Sequence, residues 1–428
     1  MRILYNIAFL IFGIAYLPYL IITKRHRYGL ANRFGILSNR LKSISSKGRV
    51  IWIHAVSVGE MKAASILAPL LRNKFPSHTI VFSSVTHTGN KVARTIATGE
   101  EDVFYLPLDL SFIVDRVVGI IRPELFLCLE TELWPNLISS LDRADSKIIL
   151  INGRISNRSY FGYRKIRSIV SGLLKRFSLI LMQSEQDAAR ILSLGAPKHM
   201  TFVTGNLKFD LSLLGFTSKR REIREQLKLK EEDILLVAGS THRGEEEQLI
   251  ECFSKLKKDY PGLKLLIAPR HIERTQEIEQ LVSKKGFLPK RFSSLEPRAS
   301  SLEALFILDT IGNLMTVYSA ADIVFVGGSL VKKGGQNPIE PASLARPVIF
   351  GRFTFNFQDV VRSFLENSAA IQVNNKDELY SALRLLLDDP KERKRLGANA
   401  RETVDRNSGS IQRTVDLILS LPIRRRNR

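Results

Sequence analysis

Short apolar runs alternate with longer amphipathic stretches between residues 49 and 210. Val50 to Ile53, Thr79 to Phe82, Val103 to Tyr105, Leu125 to Leu129, Lys147 to Ile151 and Leu179 to Met182 are too short for stable helices. They are rich in side chains that pack on a pleated surface, so they predict strands. Helical patterns fill the gaps, as in Gly89 to Ala97 and Glu185 to Leu194. Such alternation predicts a parallel sheet covered by helices on both faces. A polar, charged stretch from Thr217 to Asp233 breaks the pattern and reads as a linker. Beyond it the theme returns, with strands predicted at Ile234 to Ala238, Leu263 to Ala268, Leu305 to Leu308, Ile323 to Val326 and Pro347 to Phe350. The expectation is α/β: two Rossmann-like domains, followed by a last helical pattern from Ser410 to Leu421.

The N-terminus departs from this rhythm. From Ile7 to Ile22 no charged or amide side chain occurs, and Lys24-Arg25-His26-Arg27 closes the run. A membrane-spanning helix needs about 20 apolar residues, so the segment reads as a membrane anchor if the residues before Ile7 join it. A basic cluster follows it rather than a small-residue cleavage site, which favours a retained anchor over a signal peptide. Positive charge on that flank places the rest of the chain in the cytoplasm, at the inner membrane.

Composition is globular, at 44% hydrophobic and 25% charged residues over a chain of 428. Cys128 and Cys252 both lie in apolar runs, which points to core packing and not to a disulfide framework. The net charge of +22 seeks anionic partners. No zinc-finger spacing, RNP-like motif or heptad-plus-basic region accompanies it, so nucleic acid is not expected. Beside an anchor, an anionic membrane surface is the expected partner.

Two predicted strands run straight into acids. Val50-Ile51-Trp52-Ile53 leads into His54-Ala55-Val56-Ser57-Val58-Gly59-Glu60, and Leu125 to Leu129 leads into Glu130-Thr131-Glu132-Leu133-Trp134-Pro135. In doubly wound sheets ligands gather beyond the carboxyl ends of strands. Glu60 is also the first acidic residue of the chain. Taken alone, it reads either as an acid favoured by the dipole of the helix it opens or as a general base. Dehydrogenase and NTPase fingerprints fail: no G-x-G-x-x-G follows a strand, and after Gly239 and Gly244 the Walker Lys and Ser/Thr are replaced by Glu245 and Glu246. Ser240 and Thr241 still sit between a strand and a helix, where they suit either a phosphate or a helix cap. Metal is not implied, because no Asp-x-Asp or His-Glu-x-x-His occurs, and no cofactor is expected.

The two acid-bearing segments resemble the signatures of the Kdo transferases, which move 3-deoxy-manno-octulosonic acid from CMP-Kdo to a lipid A precursor. The resemblance extends through Asn152-Gly153-Arg154-Ile155-Ser156, Gly205-Asn206-Leu207-Lys208-Phe209-Asp210, Ala268-Pro269-Arg270-His271, Gly327-Gly328-Ser329 and Gly334-Gly335-Gln336-Asn337-Pro338-Ile339-Glu340-Pro341. Three positions depart from the family pattern: Gln336 replaces the usual His, Asn313 the usual Glu, and Gly153 the usual Ala.

The resemblance implies the GT-B architecture, two Rossmann-like domains facing a cleft, and inverting transfer without metal. Its expected organisation is an anchor over residues 1–24, an acceptor domain over 25–215, a CMP-Kdo domain over 216–408, and a C-terminal helix and basic tail over 409–428 that returns to the first domain. Glu60 is then the general base, with Glu130, Glu132, Arg154 and Lys208 on the acceptor side. Donor contacts fall to Ser240, Thr241, Arg270, His271, Gly312, Gly328, Ser329, Gln336, Asn337 and Glu340. Two rivals remain at this point: a membrane-tethered binder of anionic polymers, and a GT-B enzyme for another nucleotide sugar.

Overall fold

In a computed structural model of the chain, residues 2–11, 28–46, 48–99, 102–211, 219–295 and 304–422 are described. They form two units, Met1–Leu211 with Ser408–Arg428, and Ser212–Asn407.

The first unit holds seven strands: β1 (Arg49–His54), β2 (His78–Ser84), β3 (Val103–Tyr105), β4 (Leu125–Leu129), β5 (Lys147–Gly153), β6 (Leu179–Met182) and β7 (Thr201–Val203). Their order is β3-β2-β1-β4-β5-β6-β7, and each pairing is parallel. The chain moves outward from β1 to β3 and then returns to lay β4 on the other side of β1. Between β1 and β4 the winding therefore reverses, which is where doubly wound sheets open a crevice. Alternation decides what each face buries: Val50, Trp52, Phe126 and Cys128 enter one core, and Ile51, Ile53, Leu125 and Leu127 the other. The helix Ser410–Ser420 closes this second core with Ile411, Val415 and Ile418. Its entry is pinned by Asp210, whose carboxylate accepts the N–H groups of Gly409 (2.6 Å) and Ile411 (2.7 Å).

The second unit repeats the winding with β8 (Ile234–Thr241), β9 (Leu263–Pro269), β10 (Pro289–Arg291), β11 (Leu305–Ile307), β12 (Ile323–Val326), β13 (Val348–Gly351) and β14 (Ala370–Val373). The order is β10-β11-β9-β8-β12-β13-β14, again parallel, with the reversal between β8 and β12.

Three strands lack the apolar run that betrays the others. β7, β10 and β14 are the outermost or edge strands of their sheets, and their half-exposed residues need not be hydrophobic. The stretch expected to be a linker contains a helix, Arg220–Gln226. Its charges are not idle: Arg220 (2.6 Å) and Arg224 (3.0 Å) both bind Asp322, which anchors the helix beneath β12.

The expected anchor falls partly on residues 12–27, outside the described residues. Residues 2–11 are helical. No helix among the described residues is long and apolar enough to cross a membrane.

Candidate active site

The winding reversal in the first unit carries an acid from each side. After β1, Ser57 caps the helix Val58–Lys74, accepting the N–H of Glu60 at 3.4 Å. Glu60 reaches back: its Oε1 accepts the Ser57 hydroxyl at 2.7 Å and its Oε2 the Val56 N–H at 2.6 Å. This is a variant of the capping box in which the acid reaches the N–H of the residue before the cap, so the dipole reading and the chemical reading of Glu60 describe one geometry. Glu60 as a residue is 9% exposed, and these bonds orient its carboxylate.

After β4 the chain turns abruptly. Glu130 takes a left-handed backbone, at φ 59°, a region that costs an ordinary side chain roughly 1–3 kcal/mol. The Glu130 N–H still bonds to Ile151 at 2.9 Å, and the turn curls over Cys128, whose thiol points to the carbonyls of Glu130 and Glu132. Thr131 secures the loop sideways. Its hydroxyl donates to the Arg154 carbonyl at 2.6 Å and accepts the Arg154 N–H at 3.0 Å. Glu130 and Glu132 are thereby set beside Glu60. Burial, and then the Glu130 charge, raises the proton affinity of Glu60. Burial, and then Glu60, pushes Glu132 up to about 7. Burial and like charge together make ionisation of Glu60 and Glu132 costly.

The remaining acceptor-side candidates join the same pole through polar links. Asn152, left-handed at φ 57°, accepts the Leu207 N–H at 3.1 Å. Gln183 donates to the Asn152 carbonyl and accepts from Asn206, both at 3.0 Å. Lys208 follows in the short helix Leu207–Leu211, and the backbone of Arg154 is held by Thr131. Sequence reasoning missed Tyr163, whose phenol is raised by burial and by the nearby Glu132. His54 opens the first motif. That imidazole is fully buried against Ser83 (2.9 Å), and burial lowers it to about 4, so it is neutral and covered.

In the second unit, Gly327, Gly328 and the Gly334–Gln336 turn are stitched together by Gly335 N–H to Gly328 (2.8 Å) and Gln336 N–H to Gly327 (3.0 Å). Gly328 has φ 69°, and a Cβ there would lie 3.3 Å from the His242 ring and 3.4 Å from Gln336. The Gln336 amide lies 3.5 Å from His242 Nε2, and the rings of His242 and His271 meet edge-on at 5.9 Å. Burial, and then His271, Lys333 and Arg270, hold the His242 pKa down. His242 and Lys333 thus belong to this basic cluster, although the motifs did not single them out. Asn337 caps the following turn through Ile339 N–H (3.1 Å) and reaches Glu340 (3.2 Å).

Three donor-side candidates are placed differently from the rest. Ser329 is wholly buried, and its hydroxyl is spent on Val326 (2.5 Å) and Gly351 N–H (2.7 Å), so it is not presented to a ligand. Thr241 is also fully buried, leaving the half-buried, left-handed Ser240 as the accessible member of that pair. Gly312 lies in an exposed turn after β11, two strands from β8, with nothing near its missing side chain. Among the described residues no three His, Cys, Asp or Glu side chains are grouped to hold a metal ion.

Comparison with known proteins agrees with this geometry. The family described as 3-Deoxy-D-manno-octulosonic-acid transferase (kdotransferase) matches residues 28–211, and Glycosyl transferases group 1 matches residues 219–403. The 3-deoxy-D-manno-octulosonic acid transferase of Haemophilus influenzae is 37% identical over 397 residues, 92% of this chain and 91% of the relative. That of Chlamydophila psittaci is 34% identical over 374 residues, covering 86% and 84% of the two chains. A UDP-GlcNAc 2-epimerase from Neisseria meningitidis shares the fold, with a TM-score of 0.59 at 13% identity over 87% of this chain and 100% of that one. Two parallel-sheet units with these neighbours make the fold class GT-B. The chain belongs to the 3-deoxy-D-manno-octulosonic acid (Kdo) transferase family and is a glycosyltransferase.

Proposed function

We propose that this enzyme transfers Kdo from CMP-Kdo to a lipid A precursor with inversion at the anomeric carbon. The observation that carries the reading is the meeting of Glu60, Glu130 and Glu132 at the reversal between β1 and β4, with the proton affinities of Glu60 and Glu132 raised. A carboxylate destabilised by burial and by like charge is a stronger base than a solvated one. Glu60, oriented by Ser57 and Val56, takes the proton of the attacking sugar hydroxyl as its oxygen bonds to the anomeric carbon and the bond to CMP breaks. The first unit supplies the acceptor side and the second the donor side. There Arg270, His271, Lys333 and the Gly334–Asn337 turn meet the phosphate, and protein donors offset the charge of the leaving CMP without a metal. Incubating the purified enzyme with CMP-Kdo and lipid IVA, and following CMP release and acceptor mass, tests this directly. Release of CMP without mass gain on the acceptor would overturn it.

A second reading of the base is favoured by one observation, the placing of Glu132 near 7, where a general base is best matched to neutral pH. Glu132→Gln separates the two. With Glu60 as base, the variant keeps most of its turnover and loses only the pH dependence near 7; with Glu132 as base, it loses turnover.

The enzyme acts at the inner membrane with both units on the cytoplasmic side. The helix over residues 2–11 supports this by its inverted amphipathicity. Its polar residues face the protein, Arg2 on Asp115 (2.9 Å) and Asn6 on Ser111 (2.7 Å) and Asn136 (2.8 Å). Its aliphatic residues Ile3, Leu4, Ile7, Leu10 and Ile11 are exposed, Ile3 by 74% and Leu4 by 73%, while Tyr5 and Phe9 are half-buried. Such a stripe suits lipid, and it leads into the apolar run and its basic flank.

A further inference from the structure

The sequence places glycines at 239 and 244 with phosphate-loop spacing, yet follows them with acids. Glu245, the residue before the helix Glu246–Asp259, is wholly buried. Its Oε2 accepts the N–H groups of His242 (2.9 Å) and Gly328 (2.7 Å), and its Oε1 those of Ser329 (2.9 Å) and Leu330 (2.9 Å). Burial raises the proton affinity of Glu245, and the four N–H donors, two to each oxygen, oppose it by occupying the lone pairs a proton would need, which favours the carboxylate. Successive backbone N–H groups turned to one point form an anion-binding concavity. Here the anion is part of the chain.

We infer that Glu245 is a resident anion: it fills the amide concavity of Gly328, Ser329 and Leu330, keeps the donor phosphate out of it, and positions the donor site from beneath. It bridges the loops leaving β8 and β12, the two strands at the winding reversal. Ser329 extends the brace to Gly351 at the end of β13, and Gly327 and Gly328 pass it to Gln336 and Gly335 through their carbonyls. His242 and Gln336 therefore owe their spacing to a group that touches no ligand. Where a phosphate loop uses a cation to grip its ligand, this loop uses a carboxylate to grip itself. The donor phosphate is left to the Gly334–Asn337 turn and the Arg270, His271 and Lys333 side chains.

The positioning part of this inference rests on the proposal that the second unit binds a nucleotide donor, so the test has one arm that needs no nucleotide. Glu245→Ala leaves four amides around a space the size of a small carboxylate, and removing a buried charged acceptor destabilises strongly. In the full chain, sodium formate should raise the melting midpoint of Glu245→Ala, or restore a cooperative transition if none remains, whereas sodium chloride at equal ionic strength should not. Formate should leave the parent unchanged. Equal responses to the two salts would overturn the resident-anion assignment. In the second arm, CMP binding is measured by calorimetry. Glu245→Gln, which sets an NH2 against backbone N–H groups, should bind CMP at least tenfold more weakly than the parent, and formate should recover part of the affinity of Glu245→Ala. Parent-like or tighter CMP binding by either variant would overturn the positioning role and return the concavity to the donor phosphate. Failure of the parent itself to bind CMP would count against the donor assignment alone, since the formate arm stands without it.

Discussion

The hydroxyl of Ser57 donates to Glu60 Oε1 at 2.7 Å while its oxygen accepts the Glu60 N–H at 3.4 Å. One serine thus caps a helix and aims its acid. Ser57→Ala should cost about 1 kcal/mol of stability through the lost cap and lower turnover by roughly tenfold, the size of one lost hydrogen bond to a charged group. Ser57→Thr, which keeps the hydroxyl, should restore both. Steady-state rates with a thermal melt separate the two effects, and an unchanged rate in the alanine variant would detach Ser57 from the chemistry.

Glu132 gives a prediction in pH. Its carboxyl is pushed up to about 7, first by burial and then by Glu60, whereas an unfolded chain ionises it near 4.3. Between those values the folded state holds the proton more tightly, so stability falls as pH rises from about 4 to 7. Glu132→Gln carries no charge at any pH. It should match the parent near pH 4 and exceed it by on the order of 2 kcal/mol above pH 7. Denaturant titrations at pH 4.5 and 8 check this, and a gain independent of pH would show that Glu132 is not strained by ionisation.

Thr131→Val keeps the shape of the side chain and removes both bonds to the Arg154 backbone. The expected loss is about 1–3 kcal/mol, together with a raised KM for the acceptor and an unchanged KM for the donor. A rise in donor KM alone would place this loop on the wrong substrate.

For the helix over residues 2–11, replacing the exposed Ile3, Leu4 and Ile7 by Ser should leave the melting midpoint in place, because these side chains contribute little to the core. Binding to vesicles containing anionic phospholipid should weaken, by about 1–2 kcal/mol for each buried apolar side chain lost. Co-sedimentation measures it. Unchanged binding would remove this stripe from the membrane contact.

Much of the architecture was legible because buried parallel strands must be continuously apolar, as in Leu125 to Leu129. The edge strands β7, β10 and β14 escaped for the same reason, since the half-exposed Thr201, Phe202 and Val203 answer to no such demand, whereas the edge strand β3 is buried and was legible. Glu60 and Glu130 were readable from their place after strands. Ser329 and Thr241 misled because a motif reports which residues occur near a ligand and not which way their hydroxyls turn. Glu245 was visible in the sequence only as a missing lysine. Its four N–H partners come from loops more than 80 residues apart, a relationship that local pattern does not carry.

The central claim is that Glu60 takes the proton of the acceptor hydroxyl. Single-turnover transfer from CMP-Kdo to lipid IVA, compared between the parent and Glu60→Gln, tests it most directly. Glutamine keeps the size of the side chain and can still accept the N–H of Val56, but it has no basic oxygen. The account predicts a rate lower by roughly 100- to 10,000-fold, with CMP binding retained. Transfer within a few-fold of the parent rate by a folded Glu60→Gln enzyme would contradict it.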